Sequence, residues 1–348
     1  MNIKITANVL AERRWHPLLD VIASILQQPE IRHSFDTSQY VAITKSPWLE
    51  GATGERAGTA EFIRSSIKAA SRDGLSDGVT LLIDDLAPQA GENLTGNVIR
   101  VHPFGALTIL TQPLHLIVED ETSDGAFVLW MARLLGRDRI IRSYRAGRLI
   151  FRHAGGKNQL AKSARALTFG VWPKKSPIFS LQLRAAAMLD SDARFPGHEP
   201  NKQIATEVEE FVAFVHVLGC RTIENYIPLK YAQRRLGPIP SLAAYFRMSE
   251  VQRRHFPLKK GFKTGDPPVA HQNHPAFLAD TNLQQEEREL FRPVTALDWA
   301  QFAGGFGTAL AGLFCEPDYR CDSNTGTILT PPQRAELNDF LTRVIKYL

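Results

Sequence analysis

The sequence predicts an α/β protein with a mainly parallel sheet and helices on both of its faces. Strand-like apolar segments alternate with amphipathic segments in residues 113–236, and acidic residues follow several of these strands. Residues 237–348 show helical periodicity. Alternating strands and helices are typical of parallel sheets, because each crossover helix packs on a sheet face. We therefore divide the chain into an N-terminal α/β region (1–112), a core (113–236) and a helical C-terminal region (237–348).

The N-terminal region mixes the two kinds of periodicity. Helices are predicted at His16–Gln28 and Thr59–Arg72. Strands are predicted at Tyr40–Thr44, Val79–Asp84 and Asn97–His102. Segments rich in glycine and proline separate these elements, as expected for turns.

The core begins with strand Leu114–Glu119 and helix Gly125–Leu135. The elements predicted after them are strand-like Ile140–Tyr144, strand Leu149–His153, helix Gln159–Leu167, strand Ala185–Leu189, helix Ile204–Phe214 and strand Val215–Leu218. Short continuous apolar runs of this kind are typical of strands buried on both faces. We expect Leu114–Glu119, Ala185–Leu189 and Val215–Leu218 to be parallel neighbours with their carboxyl ends at one edge.

The C-terminal region is predicted to contain helices Leu242–Met248, Leu283–Phe291, Trp299–Phe314 and Pro332–Leu348. Thr330 followed by two prolines is a typical start signal for the last of these. The glycine-rich stretch AGGFGTALAG within the third helix does not follow a strand, so we interpret it as a site of close packing and not as a phosphate-binding loop.

Composition indicates an ordinary globular chain. The 348 residues are 44% hydrophobic and 22% charged, and no apolar run approaches the ~20 residues that span a bilayer. The first residues lack the hydrophobic region of a signal peptide, so we expect a cytoplasmic protein with no membrane contact. Cys220, Cys315 and Cys321 form no metal-binding spacing and are expected to be free thiols, with a Cys315–Cys321 redox pair as the alternative.

The net charge of +5 conceals two strongly basic segments. Arg133–Lys175 has twelve Lys and Arg against one acid, and Lys230–Lys263 has nine against one. A solvated surface is the simplest interpretation of either segment alone. Two such segments on both sides of an acidic cluster favour a polyanionic partner, namely nucleic acid, since phosphates gain from contact with Arg and Lys.

Acidic residues follow three of the predicted strands. Asp190 and Asp192 end the run AAAMLDSD, Glu119 ends the first core strand, and Glu224 follows the last. Period-two alternation would place Asp190 and Asp192 on one face, where their repulsion calls for a divalent cation or a shared proton. The alternatives are that the aspartates cap a turn and that Glu224 caps a helix. Asp124 is expected to cap a helix and to orient the loop carrying Glu119.

These motifs resemble the Toprim domain, the metal-binding fold of topoisomerases, bacterial primases and nucleases related to the OLD (overcoming lysogenization defect) proteins. The resemblance covers about 120 residues and rests on VEDETSD (Val118–Asp124), GGKNQL (Gly155–Leu160), LDSD (Leu189–Asp192) and HVLGCRTIENY (His216–Tyr226). The first motif departs from the family pattern, because Asp120 stands where glycine is usual. We assign the family glutamate to Glu119, with Asp120 as the alternative.

The resemblance implies a divalent-metal-dependent nuclease that uses Mg²⁺ or Mn²⁺. Glu119, Asp190 and Asp192 would be the catalytic metal ligands, with Glu119 also serving as general acid or base and Glu224 as an outer ligand. OLD-type nucleases carry or accompany an ABC-type ATPase, and no Walker A motif occurs in this chain. A separate ATPase partner and a role in phage defence are therefore expectations by analogy.

Three lysines are expected to contact the substrate. Lys157 follows two glycines, and Lys259 and Lys260 lie in a segment rich in proline and glycine, so each would reach a phosphate. A tight turn at Lys157 and a solvated loop at Lys259 and Lys260 are the alternatives.

Other functions compete with the nuclease. A haloacid-dehalogenase-type phosphatase needs Thr or Val two residues after the second aspartate, where this chain has Arg194. A nucleotide-sugar glycosyltransferase would leave the basic segments unexplained. A non-catalytic nucleic-acid-binding or regulatory subunit on a degenerate Toprim scaffold fits the altered first motif. A homo-oligomer is compatible with each of these functions.

Overall fold

The computed structural model describes residues 1–28, 33–50, 55–73, 79–95, 97–170, 179–237, 239–264, 269–270, 273–307, 309–315 and 329–348. The strands are β1 (Asn2–Ile5), β2 (Ser34–Phe35), β3 (Thr80–Ile83), β4 (Glu92–Thr95), β5 (Val98–Val101), β6 (Leu114–Val118), β7 (Leu149–His153), β8 (Ala185–Leu189), β9 (Val215–Val217), β10 (Lys263–Thr264) and β11 (Val269–Ala270). They belong to an α/β protein with two main sheets and a largely helical C-terminal region.

The helices divide among the three regions of the chain. Those of the N-terminal region are α1 (Ala7–Ala11), α2 (His16–Leu26), α3 (Tyr40–Thr44), α4 (Glu55–Asp73) and α5 (Pro103–Thr111). Those of the core are α6 (Ser123–Leu134), α7 (Asp138–Arg145), α8 (Leu160–Phe169), α9 (Phe179–Gln182), α10 (Lys202–Glu209) and α11 (Leu229–Leu236). Those of the C-terminal region are α12 (Pro240–Arg247), α13 (Glu250–His255), α14 (His274–Ala279), α15 (Gln285–Phe291), α16 (Ala296–Phe302), α17 (Ala309–Gly312) and α18 (Pro331–Tyr347).

The core sheet is entirely parallel and has the strand order β7-β6-β8-β9. This confirms that the strands beginning at Leu114, Ala185 and Val215 are parallel neighbours. The chain moves outward from β6 to β7 and then returns to the other side of β6 for β8 and β9. The strand order thus reverses between β6 and β8, and α/β sheets bind ligands in the crevice at the carboxyl ends of such a pair.

Both faces of this sheet are covered, as the sequence predicts. On one face, Leu116 and Met188 belong to a large core that includes residues of α6, α7 and α18. On the other, Ile117 and Ala187 pack with residues of α8 and α10. Alternate side chains of one strand enter different cores, which explains why these strands are apolar at consecutive positions.

The N-terminal region forms its own five-stranded sheet, in the order β2-β1-β3-β5-β4. Its strands are parallel apart from β4, which runs antiparallel to β5. Helices α2 and α5 contribute to a separate core on this sheet. Among the described residues, no helix is long and apolar enough to cross a membrane.

Two predicted strands are helices in the structure. Tyr40–Thr44 forms α3, which continues a 3₁₀ turn begun where the Asp36 side chain accepts a hydrogen bond from the Ser38 backbone. Ile140–Tyr144 lies within α7, where Ile140 and Ile141 are buried. Asp138 in the first turn and two arginines in the last turn complement the helix dipole there, which favours helix over strand.

The predicted helix Trp299–Phe314 is interrupted. Helix α16 ends at Phe302, and α17 begins only at Ala309. Gly305 and Gly307 between them have φ angles of 74°, a left-handed conformation that ends a right-handed helix. The C-terminal region also contains the short antiparallel pair β10–β11, which helical periodicity did not predict.

Candidate active site

A cavity of about 710 Å³ lies where the core sheet's strand order reverses. Charged side chains of both signs line it. The acids are Glu119, Asp190 and Asp192, and the cations are Lys157, Arg221, Lys259 and Lys260. The structure therefore brings together six of the seven residues predicted to act in catalysis, metal binding or substrate binding; the seventh, Glu224, is buried and does not line the cavity.

Glu119 follows β6 directly and enters the cavity, whereas Asp120 does not line it. The exposed Asp120 accepts hydrogen bonds from the Thr122 and Ser123 backbones at the start of α6. The Glu119 carboxyl accepts a hydrogen bond from the Lys157 backbone. Burial, reinforced by nearby carboxylates, raises the pKa of Glu119 to about 7.

Asp190 is the first residue after β8 and is held by the backbone of the last core segment. Its Oδ1 accepts a hydrogen bond of 3.1 Å from the Ile223 backbone. Burial raises the pKa of Asp190 well above its ordinary value, and the charges of Asp124, Glu224 and Glu119 raise it further. A carboxylate surrounded by so many others gains from any cation that enters the cavity.

Asp192 reaches the same cavity from a turn and not from the pleat of a strand. The strand ends at Leu189, and Asp192 has a φ of 51°. Its Oδ2 accepts hydrogen bonds from Lys157 Nζ at 2.5 Å and from the buried Asn201 side chain at 3.1 Å. Burial disfavours the charged carboxyl, but these two donors outweigh it and lower the pKa of Asp192.

Two further carboxyl groups, those of Glu224 and Asp124, interact electrostatically with Asp190. Glu224 is 5% exposed in a 3₁₀ turn, and its charge raises the pKa values of Asp124 and Asp190. Asp124 does not cap α6, because Thr122 is the N-cap residue. Asp124 instead accepts a hydrogen bond from the Asp120 backbone, and burial, followed by the charges of Asp120 and Glu224, raises its pKa to about 6.

The acidic cluster has the donor chemistry of a Mg²⁺ or Mn²⁺ site, since these hard cations prefer oxygen ligands. In the described part of the chain, however, no three His, Cys, Asp or Glu side chains stand so that they could hold a metal ion together. Mg²⁺ commonly keeps several waters and binds through one or two carboxylates. Glu119 and Asp190 fit that mode of binding, while Asp192 is engaged by Lys157.

The loop that carries Lys259 and Lys260 is locked to the glycine segment 303–307. The Phe306 backbone donates to Leu258 O at 2.7 Å, and the Gly307 backbone donates to Lys259 O at 3.0 Å. A Cβ on Gly261 or Gly305 would come within 2.4 Å of backbone atoms of the other segment. Of the glycines in this motif, Gly305 is required for the close packing, whereas a Cβ on Gly304 or Gly307 would meet nothing within 4 Å. The packing at Gly305 holds two lysines at the cavity.

Only part of the two basic segments faces the cavity. Several arginines donate inside the protein instead: Arg148 to the carbonyls of Leu110 and Thr111, and Arg253 to those of Phe246 and Met248. Lys174 and Lys175 lie outside the described residues. Part of the charge imbalance therefore serves to satisfy carbonyl groups, which the sequence alone could not reveal.

Hydrogen bonds to helix α18 hold the segment around Glu224 in place. Glu336 accepts hydrogen bonds from the Gly219 backbone and from the Tyr226 hydroxyl, both at 2.8 Å. His216 Nε2 lies 3.3 Å from the same carboxylate. The nearby Cys220 is a buried free thiol and Cys315 an exposed one, while Cys321 lies outside the described residues.

Three site residues escaped the sequence analysis. Arg221 lies outside the basic segments, Asn201 is a lone amide nine residues after Asp192, and Asp124 was interpreted as a cap. The Asn-Lys pair at the start of α10 gave no signal of its own.

Comparisons with protein-family models, curated proteins and solved structures found no match.

Proposed function

We propose that this protein is a divalent-metal-dependent nuclease with a Toprim-like core. The observation that carries the proposal is the cavity in which Glu119, Asp190 and Asp192 meet Lys157, Arg221, Lys259 and Lys260. Carboxylates suit a hard cation and the four cationic side chains suit a phosphodiester, so one cavity contains the groups that both require.

The side chains divide into distinct roles in this proposal. Arg221, Lys259 and Lys260 would bind and orient the phosphate and neutralise the charge that develops on it. Glu119 would exchange a proton with the attacking water, because its carboxyl lines the cavity that the water must enter and burial raises its pKa in the metal-free protein. Glu119 and Asp190 would hold the cation, with Asp192 as a further ligand, while Glu224, which does not line the cavity, would act through its charge on Asp190. When bound, the cation supplies charge stabilisation at the scissile phosphate.

Lys157 contacts two of the proposed metal ligands, Asp192 and Glu119. It bonds Asp192 directly, and its backbone bonds Glu119. We propose that substrate phosphate and metal draw the ammonium and the carboxylate apart, so that Lys157 contacts the phosphate and Asp192 the cation.

An ABC-type ATPase partner and a role in phage defence belong to the same proposal and rest on the Toprim resemblance alone.

The test is a cleavage assay on plasmid DNA, single-stranded DNA and transfer RNA with Mg²⁺, Mn²⁺ or EDTA. Cleavage that needs the metal and is lost in Asp190→Asn supports the proposal. This variant keeps an oxygen for the Ile223 backbone while removing the charge. Cleavage that continues in EDTA, or at the wild-type rate in Asp190→Asn, would refute it.

A non-catalytic nucleic-acid-binding subunit is the second candidate. The Lys157–Asp192 bond, together with the missing three-ligand arrangement among described residues, favours it. Such a protein would bind nucleic acid with steep salt dependence and cleave none of the three substrates under any metal. Adding a purified ATPase partner separates this outcome from a nuclease that is inactive alone.

A further inference from the structure

A second cavity, of about 760 Å³, lies on the other side of the loop that carries the two aspartates. Ser191 and Ala193 line it, whereas Asp190 and Asp192 line the first cavity. Residues of the loop 195–199 and of α10, β9 and α13 complete its walls. A single short loop is therefore a wall of both cavities.

The two cavities differ in charge. Glu199, Lys202, Glu209 and Arg254 line the second one, and their formal charges cancel. Glu199 and Lys202 already form an ion pair of 2.8 Å. The first cavity has four cationic side chains, so it is the one that suits phosphate. The second suits a neutral ligand.

Aromatic rings form part of the second cavity. Phe195 and His198 stack with their centroids 4.9 Å apart and their planes 14° from parallel. Phe195 is buried and His198 is half-buried, and both line the cavity. A stacked pair at the wall of a cavity offers a flat surface to another ring, and such surfaces bind nucleobases with little regard to sequence.

Two imidazoles add complementary hydrogen-bonding groups. His198 Nδ1 accepts from the Arg194 backbone at 3.2 Å, which places the proton of the neutral ring on Nε2. His255 Nδ1 lies 3.1 Å from the Ala193 carbonyl and therefore carries its proton there, which leaves Nε2 as an acceptor. Burial lowers the pKa of both rings and so favours their neutral forms. The cavity thus offers one donor and one acceptor beside an aromatic surface.

We propose that this second cavity binds an unpaired nucleobase of the strand whose phosphate enters the first cavity. The proposal rests on the proposed function and narrows its substrate to single strands or to duplexes with an extruded base, since a paired base cannot enter a pocket. Arg221 links the two sites, because its side chain bonds the His255 carbonyl while its own carbonyl bonds the Asp192 backbone.

The test compares two single strands of equal length and charge, one with bases and one with abasic sugars throughout. Binding is measured in EDTA at fixed salt, so that cleavage plays no part. Wild type should prefer the strand with bases on the order of tenfold. His198→Ala should lose most of this preference, and His198→Tyr, which keeps a ring for stacking, should retain it. His153→Ala is the matched control, because His153 is exposed and lines neither cavity.

The outcomes separate a failure of the nucleobase site from a failure of the whole proposed function. Equal binding of the two strands by wild type, or an undiminished preference in a folded His198→Ala variant, overturns the nucleobase site. Metal-dependent cleavage with no preference for bases overturns the nucleobase site and leaves the nuclease standing. Absence of both binding and cleavage overturns the two proposals together.

Discussion

Gly305→Ala should displace Lys259 and Lys260 from the first cavity although it replaces no charged residue. The new Cβ would lie 2.4 Å from the Gly261 nitrogen and 2.8 Å from the Lys260 carbonyl carbon, and backbone atoms cannot yield as a flexible side chain can. The φ of 74° adds roughly 1–2 kcal/mol for a residue with a side chain. Losing the backbone hydrogen bonds that Phe306 and Gly307 donate to the lysine loop adds about 1 kcal/mol each, for a local cost of about 3–4 kcal/mol.

The assay is nucleic-acid binding as a function of salt concentration, with thermal unfolding measured alongside. If Lys259 and Lys260 each neutralise one phosphate, displacing both should reduce the steepness of log K against log salt by about 1.8 on duplex DNA and about 1.4 on single strands. The double charge reversal of these lysines should weaken binding further while leaving metal uptake intact.

Gly304→Ala is the matched control. The neighbouring glycine has no positive φ, and a Cβ there would meet nothing within 4 Å. Its salt dependence and stability should equal those of wild type. If folded Gly305→Ala also keeps the wild-type salt dependence, the lysine loop does not contact phosphate and this reasoning fails.

Four other outcomes follow from the site. Asp190→Asn should abolish the Mn²⁺-induced rise in melting temperature and raise metal-free stability at pH 8, since it removes a buried charge that other carboxylates repel. The raised pKa of Glu119 alone should cost metal-free wild type about 2–3 kcal/mol of stability as pH rises from 5 to 8, because the folded state binds a proton that the unfolded state has released, and the raised pKa values of Asp124 and Asp190 add to this loss. Lys157→Met should abolish cleavage and raise the pKa of Asp192. Glu336→Ala should cost about 2–4 kcal/mol in denaturant unfolding, since it leaves the Gly219 backbone without an acceptor and the Tyr226 hydroxyl without its carboxylate partner.

Each of these four predictions would be contradicted by a specific result. A metal-induced shift that survives in Asp190→Asn would place the cation elsewhere. A pH profile that Glu119→Gln does not flatten would assign the titration to another group. Wild-type cleavage by Lys157→Met would show that this lysine does not act in the reaction. Unchanged stability of Glu336→Ala would show that the hydrogen bonds of Glu336 do not stabilise the packing of helix α18.

The sequence predicted the core sheet because its strands are buried on both faces, which leaves short unbroken apolar runs. It failed where a short apolar run fits two structures: Ile140 and Ile141 are adjacent in sequence, and their burial in a helix depends on the neighbours that α7 finds in space. Glu119, Asp190 and Asp192 stood out because each ends such a run. Arg221 and Asn201 did not, since their positions follow from contacts across many residues and not from local pattern.

Helix α18 also determines when the site can form during synthesis. Its Glu336 holds the segment between β9 and Glu224, and its Phe340 stacks on His216 with the ring centroids 4.4 Å apart. The ribosome makes this helix after all of the cavity's charged residues, so a nascent chain carries the cavity side chains before it has the support that fixes Glu224. The nuclease proposed above would reach its complete geometry only once residues 331–347 have emerged, which would delay activity near the messenger RNA that encodes it.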